Sequence, residues 1–192
     1  MIKLKKIINE IMDTPPLQPH VPPSPPAQIR HATSNVITKD FINYIKRVEN
    51  GNKKGYDPKT HLWTPHKSYE GGLGTIGYGH KIKSTAELEN YKRGISDNDV
   101  TKLLLNDLTL ANKAVHDHIK KLYKTDVALT QKQSEMLIDY AFNLKGGASA
   151  FPIFTRAVLD NDIKGMKAAY TRSAGKTPLK DRNTVFYDRY LK

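Results

Sequence analysis

A glutamate and a glycine-rich stretch supply the residues best suited to chemistry. Glu49 lies in the last turn of a predicted helix, where the negative end of the helix dipole disfavours a carboxylate. An acid in that position is a candidate for a raised pKa, and a carboxyl that keeps its proton can donate it. Residues 72–80 carry four glycines and present Thr75, Tyr78 and His80 in a confined space. We therefore expect a tight hairpin that a ligand can approach closely.

Further segments extend this pattern along the chain. The hairpin reads Thr-Ile-Gly-x-Gly-His, and later motifs follow at residues 104–108, 128–131 and 140–143. Together, from about residue 40 to the C-terminus, these motifs resemble the phage-type lysozymes of glycoside hydrolase family 24. The resemblance implies an α+β, lysozyme-like fold: a small lobe with a short antiparallel sheet, joined by a long helix to a mainly helical lobe.

The resemblance also implies an activity, that of a bacteriolytic peptidoglycan hydrolase. Such an N-acetylmuramidase cleaves the β-1,4 bond between N-acetylmuramic acid and N-acetylglucosamine, with inversion. Cleavage needs an acid to protonate the leaving oxygen and a second group, across the sugar, that activates water or stabilises the cation. Glu49 matches the family's acid, and Thr75 matches a threonine that helps to hold the water. Their separation, 75 − 49 = 26 residues, is longer than in the family.

The second catalytic group has several candidates. Six residues before the hairpin threonine, where the family has an aspartate, stands Tyr69, which cannot serve as a carboxylate. We favour Glu70, because the glycines around it give the turn freedom to shift register. Asp57 and His66 are alternatives. If no second group exists, we expect a lytic transglycosylase that uses the acid alone.

The resemblance assigns roles to His80, Asp107 and Asn143, and the residue types of Tyr78 and Arg182 suggest roles for these two. His80 and Asp107 match a buried pair, so we expect a structural ion pair between the lobes. Asn143 matches an amide that binds substrate in the cleft, although it could instead cap its own helix. Tyr78 is expected to contact the sugar, with core packing as the alternative. Arg182 is expected to bind wall peptide or to neutralise the C-terminal region.

Periodicity and capping residues predict the elements that position these groups. Thr38 or Asp40 is expected to cap the helix that carries Glu49. The remaining predicted elements are strands near Tyr56, at 61–63 and at 75–79 in one small sheet, a helix from Ser96 to about Tyr123, a helix from Gln131 to Asn143 capped by Thr130, helices at 149–159 and 162–172, and a last segment opened by Pro178.

Composition limits the classes of partner and cofactor that we expect this chain to bind. The 192 residues include 31 basic and 19 acidic ones, a net charge of +12, and no cysteine. The charge predicts either an anionic partner, for which bacterial wall polymers and nucleic acid both qualify, or only general solubility with non-specific attraction. The basic residues are spread along the chain, so we expect no specific nucleic-acid binding. No metal-ligand spacing, cofactor motif or membrane-length apolar run is present, and we expect no metal, no cofactor and no transmembrane segment.

The N-terminal region predicts a tether. The pattern predicts an amphipathic docking helix at residues 1–13, a proline-rich tether at 14–36 and a lysozyme-like catalytic domain at 37–192. We expect the helix to dock on a phage structural protein, with a surface membrane anchor as the alternative. The expected location is the virion, in the tail or inside, with release into the host cytoplasm or periplasm as the alternative. No cleavable signal peptide is predicted, and a non-catalytic wall-binding virion protein is a further alternative.

Overall fold

The computed structural model describes residues 36–68, 71–144, 147–174 and 177–192. The predicted docking helix, all but the last residue of the predicted tether, and Glu70 lie outside the described residues. In chain order the elements are α1 (Lys39–Asn50), β1 (Tyr56–Asp57), β2 (Leu62–Trp63), β3 (Thr75–Ile76), β4 (His80–Lys81), α2 (Thr85–Lys92), β5 (Ile95–Ser96), α3 (Asp97–Tyr123), α4 (Gln131–Asn143), a 3₁₀ turn (Gly147–Ala150), α5 (Pro152–Leu159), α6 (Ile163–Ala169), β6 (Ser173–Ala174), β7 (Thr177–Pro178) and α7 (Lys180–Tyr190).

The small lobe contains two separate sheets. Strands β1, β2 and β5 form an antiparallel sheet in which Trp63 faces Tyr56 on one side and Ile95 on the other. Strands β3 and β4 form a second sheet, a two-stranded hairpin. The prediction that 75–79 completes the three-stranded sheet was therefore wrong. The outer edge of β3 is already occupied, because Thr75 pairs with His66 in an antiparallel bridge.

Helix α2 was not predicted. It buries none of its side chains, so it carries no apolar periodicity to detect. Its N-terminus does carry a signal, since the Ser84 hydroxyl accepts from the Glu87 amide at 3.1 Å, in the spacing of a capping box. Capping rather than burial therefore indicates this helix.

The long helix joins the two lobes. Ser96 caps α3 at its start, and 27 residues give a length of about 40 Å. One face of α3 is buried along its whole length: Val100, Leu104, Leu108, Ala111, Val115 and Ile119. Helix α4, with its Thr130 capping box, begins and ends where predicted. Within the described part of the chain, no helix has both the length and the apolarity to cross a membrane.

The C-terminal helices are shorter than expected. The predicted helix 149–159 is a 3₁₀ turn followed by α5, which starts at Pro152 because proline suits the first turn of a helix. The predicted helix 162–172 stops at Ala169. The chain then passes Arg172, which is buried, and forms the β6–β7 pair before α7. This turn back brings α7 against α1 and α4.

Candidate active site

A cleft of about 670 Å³ lies between the small lobe and the helical lobe. Glu49 enters it from the end of α1, and Thr75 and Gly79 line it from the β3–β4 hairpin. The opposite side is formed by α3 and by the end of α4, including Asn143. The cleft therefore brings together the predicted acid, the predicted water-binding threonine and the predicted amide.

Asn50 fixes the end of α1 to the hairpin. Its side-chain amide donates to the carbonyl oxygens of Lys54 at 2.9 Å and Gly77 at 2.8 Å. Gly79 lies beside the carboxyl group in the left-handed region, at φ +94°, which would strain any other residue. A Cβ atom there would make an ordinary van der Waals contact, 3.5 Å from Oε2 of Glu49. The backbone of the hairpin can thus lie directly beside the carboxyl group.

The carboxyl group of Glu49 is largely withdrawn from water. Its side chain is 16% exposed, and Oε1 accepts a hydrogen bond from the guanidinium of Arg182. Burial raises the pKa of Glu49, with a contribution from the Asp139 carboxylate, against the opposing charge of Arg182. The rise was expected from the helix dipole, but desolvation is its main cause. A carboxyl in this state is suited to donate a proton.

A buried charge cluster supports Glu49. Asp139 is fully buried, accepts from the Tyr44 hydroxyl at 3.0 Å and from Arg182, and lies 3.3 Å from Nη1 of Arg172. Burial alone works to raise the pKa of Asp139, but the two guanidinium groups outweigh it and hold that pKa below its ordinary value. Arg182 is therefore a buried link from Glu49 to Asp139, which corrects the expectation that it binds wall peptide.

The structure distinguishes between the three candidates for the second catalytic group. Both carboxylate oxygens of Asp57 bond within its own turn, to the Lys59 amide at 2.9 Å and the Thr60 hydroxyl at 2.8 Å. Asp57 is also absent from the cleft lining, which removes it as a candidate. His66 does line the cleft, with Nε2 3.2 Å from the Thr75 hydroxyl. Glu70 stays a prediction, since it lies outside the described residues.

His80 connects the hairpin to two helices. Its Nδ1 lies 2.8 Å from Asp107 on α3, as the predicted pair requires, and its Nε2 lies 3.2 Å from Glu87 on α2. Hydrogen bonding to Asp107 raises the pKa of His80, with Glu87 adding to the rise and burial opposing it. Bonds from the Lys83 amide and from His80 in turn lower the pKa of Glu87. The contact with Glu87 was not foreseen.

We expect the stability contributed by His80 to depend on pH. Because its folded-state pKa is raised, this contribution is complete below the ordinary value of 6.5 and is lost as pH rises through the raised value. It also weakens in acid as Glu87 becomes protonated. His80→Asn should cost about 2 kcal/mol near pH 6 and less at pH 9, measured by denaturant unfolding. The exposed His116→Asn is the control, and a cost independent of pH would contradict the pairing.

Two predicted substrate contacts differ in outcome. Asn143 lines the cleft, and its Oδ1 is buried without a hydrogen-bond partner among the described residues, so it stays a candidate for binding substrate. Tyr78 is 6% exposed, packs on Trp63 with ring centroids 5.0 Å apart, and does not line the cleft. The expectation that Tyr78 contacts the sugar is therefore corrected to core packing. In the described part of the chain, no group of three or more His, Asp or Glu side chains could hold a metal ion.

One protein-family model matches most of this chain. The model of the phage lysozyme family matches residues 62–182, well over half of the chain. The chain belongs to the phage lysozyme family. Membership supports a glycosidase-type peptidoglycan hydrolase, as predicted. The match begins after Glu49, so the assignment of the acid depends on the cleft geometry described above.

Two solved structures are similar to this chain. The muramidase domain of SpmX from Asticaccaulis excentricus is similar with a TM-score of 0.53 and 18% identity, over 81% of this chain and 97% of that chain. The endolysin from Escherichia coli O157:H7 phage FAHEc1 is similar with a TM-score of 0.49 and 18% identity, over 81% of this chain and 93% of that one. The first likeness confirms the predicted lysozyme-like α+β fold. No curated protein sequence gives a significant match.

Proposed function

We propose that this member of the phage lysozyme family is an N-acetylmuramidase, cleaving the β-1,4 bond between N-acetylmuramic acid and N-acetylglucosamine. The observation that carries the proposal is the carboxyl of Glu49, buried at the cleft wall with a raised pKa, in the same cleft as Thr75. Lysines 54, 67, 81 and 83 also line the cleft, and their charge suits the carboxylates of peptidoglycan.

The reaction assigns one role to each group. Glu49 gives its proton to the glycosidic oxygen as the bond from that oxygen to the anomeric carbon breaks. A water molecule held by Thr75 forms the new bond to the anomeric carbon from the opposite face. The proton that this water loses passes to a second carboxylate, for which we propose Glu70. The products are two sugar hydroxyl groups, and inversion is expected.

Product analysis tests the bond and the mechanism together. We expect the full chain to clear permeabilised Gram-negative cells and to release fragments whose masses show one added water and a reducing muramic acid end. Fragments ending in anhydro-muramic acid would show a transglycosylase using Glu49 alone. Binding to walls without any fragments would show a non-catalytic wall-binding protein. Either result would refute the hydrolase proposal.

We further propose that the protein is carried in a phage particle, held by residues 1–13 through the proline-rich spacer. Support comes only from the sequence pattern, an apolar helical face followed by seven prolines within 14–27. A chain lacking residues 1–35 should cleave peptidoglycan normally yet be missing from purified virions. Incorporation of that shortened chain would refute the docking proposal and leave the enzymatic one intact.

A further inference from the structure

Both main-chain and side-chain contacts join His66 and Thr75 at the cleft wall. Two main-chain hydrogen bonds join these residues, from each amide to the other's carbonyl oxygen, at 2.8 and 2.9 Å. Their side chains then meet on one side, with Nε2 of His66 3.2 Å from the Thr75 hydroxyl oxygen. The strand pairing therefore sets the position of the imidazole relative to the hydroxyl before any substrate binds.

The Nδ1 edge of the His66 ring packs against main-chain atoms. Gly55 has φ +87°, and a Cβ atom there would lie 2.8 Å from Nδ1 of His66 and 2.6 Å from the carbonyl oxygen of Thr64. The ring is thus packed against the main chain where only glycine leaves room. Nδ1 is buried and has no hydrogen-bond partner among the described residues. The Thr64 carbonyl oxygen lies on this side of the ring, since the same Cβ atom at Gly55 would approach both it and Nδ1, and the Thr64 backbone favours the protonated imidazole. This placement suits a proton on Nδ1.

The His66 ring favours its neutral form at neutral pH. Burial lowers the pKa of His66, and the nearby charge of Lys54 lowers it further, against a smaller opposing effect from the Thr64 backbone. A neutral imidazole with its proton on Nδ1 has Nε2 free to accept a hydrogen bond. The Thr75 hydroxyl, 3.2 Å away, is then the donor.

We propose that His66 is a positioning residue, whose Nε2 accepts the hydroxyl proton of Thr75 and thereby turns the hydroxyl's lone pairs toward the cleft. Those lone pairs accept a hydrogen bond from the attacking water and aim its oxygen at the sugar. This role rests on the proposed function, in which Thr75 holds the water. It leaves the proton's final acceptor to the second carboxylate.

Replacement of His66 tests the role by what it does to turnover. His66→Leu removes the acceptor and should lower kcat by about ten- to a hundredfold with little change in KM, since a misplaced reacting group costs up to about a hundredfold. His66→Gln keeps an acceptor near the position of Nε2 and should stay within about threefold of wild type. The same change at an exposed helical site, His116→Leu, is the control. Soluble uncrosslinked peptidoglycan fragments serve as substrate.

A double-mutant cycle separates this role from a structural one. Thr75→Val removes the hydroxyl, and in that background His66→Leu should cost no more than about a further twofold, because its partner is already gone. The proposal is overturned if the fold-losses in kcat of the two single variants multiply in the double variant. It is also overturned if kcat is unchanged in His66→Leu, or if kcat in His66→Gln is as low as in His66→Leu. Melting temperatures of all variants identify any loss through unfolding. If the wild type makes no fragments, or Glu49→Gln cleaves normally, the proposed function itself fails instead.

Discussion

Glu49→Gln is expected to lower kcat for peptidoglycan cleavage about a thousandfold, with little change in KM. Glutamine has the same shape and can still accept from Arg182, but it carries no proton to give to the leaving oxygen. General acids contribute about 10² to 10⁴ in rate. Among the described residues that line the cleft, the other carboxyl group is that of Asp107, which is paired with His80. Turbidity clearing and fragment release from purified walls measure the loss.

The same substitution should not weaken the fold. Because the pKa of Glu49 is raised, the folded protein holds this proton more tightly than the unfolded chain does. Wild type therefore loses stability as pH rises from 4.5 through the raised pKa, and the neutral glutamine escapes that loss. The melting temperature of Glu49→Gln at pH 7 should equal or exceed that of wild type. The exposed Glu89→Gln is the matched control, and a fully active Glu49→Gln would remove the acid from the mechanism.

Asp139→Asn is expected to destabilise the fold by about 3–5 kcal/mol, because it removes the buried carboxylate that Arg172 and Arg182 share. For a domain of this size that corresponds to a melting temperature lower by about 10 °C or more. Asp117→Asn is the control, since that carboxylate pairs with Lys113 on an exposed surface, where such pairs contribute about 0–1 kcal/mol. Equal melting temperatures for the two variants would show that the buried cluster does not support the fold.

Asp139 and Arg182, two members of the cluster, should also shift the pKa of Glu49, in opposite directions. The Asp139 carboxylate raises the pKa of Glu49 and Arg182 lowers it. Activity requires protonated Glu49, so it falls on the alkaline limb of the pH profile. Asp139→Asn should move that limb to lower pH, and Arg182→Gln should move it to higher pH. Shifts in the same direction would show that the cluster acts on activity only through stability.

Local signals allowed the main helices to be predicted from sequence. Thr38 and Thr130 each accept a backbone amide at a helix start, and the buried positions of α3 recur every three or four residues. Such features depend only on neighbours within one or two turns of the chain. The glycine-rich hairpin was found for a similar reason, because positive φ at Gly77 and Gly79 restricts which residues can stand there.

Long-range pairing could not be predicted in the same way. The third strand of the first sheet is β5, which pairs with the strand that carries Trp63. It is two residues long, and so short a strand shows no alternation of apolar and polar residues. The charges of Asp139, Arg172 and Arg182 meet only after the chain folds back through β6 and β7. In a sequence each looks like a surface charge, since charged residues are rarely buried.

The attachment of Asn50 to the hairpin has a consequence for how this protein can vary. Because that amide ties the acid-bearing helix directly to Gly77, the distance from Glu49 to the hairpin does not depend on the length of the chain that runs from 51 to 74. The longer spacing between Glu49 and Thr75 is thereby tolerated. Residues can therefore be gained or lost in this stretch, away from Gly55 and the His66–Thr75 pairing, while Glu49 keeps its position beside the hairpin.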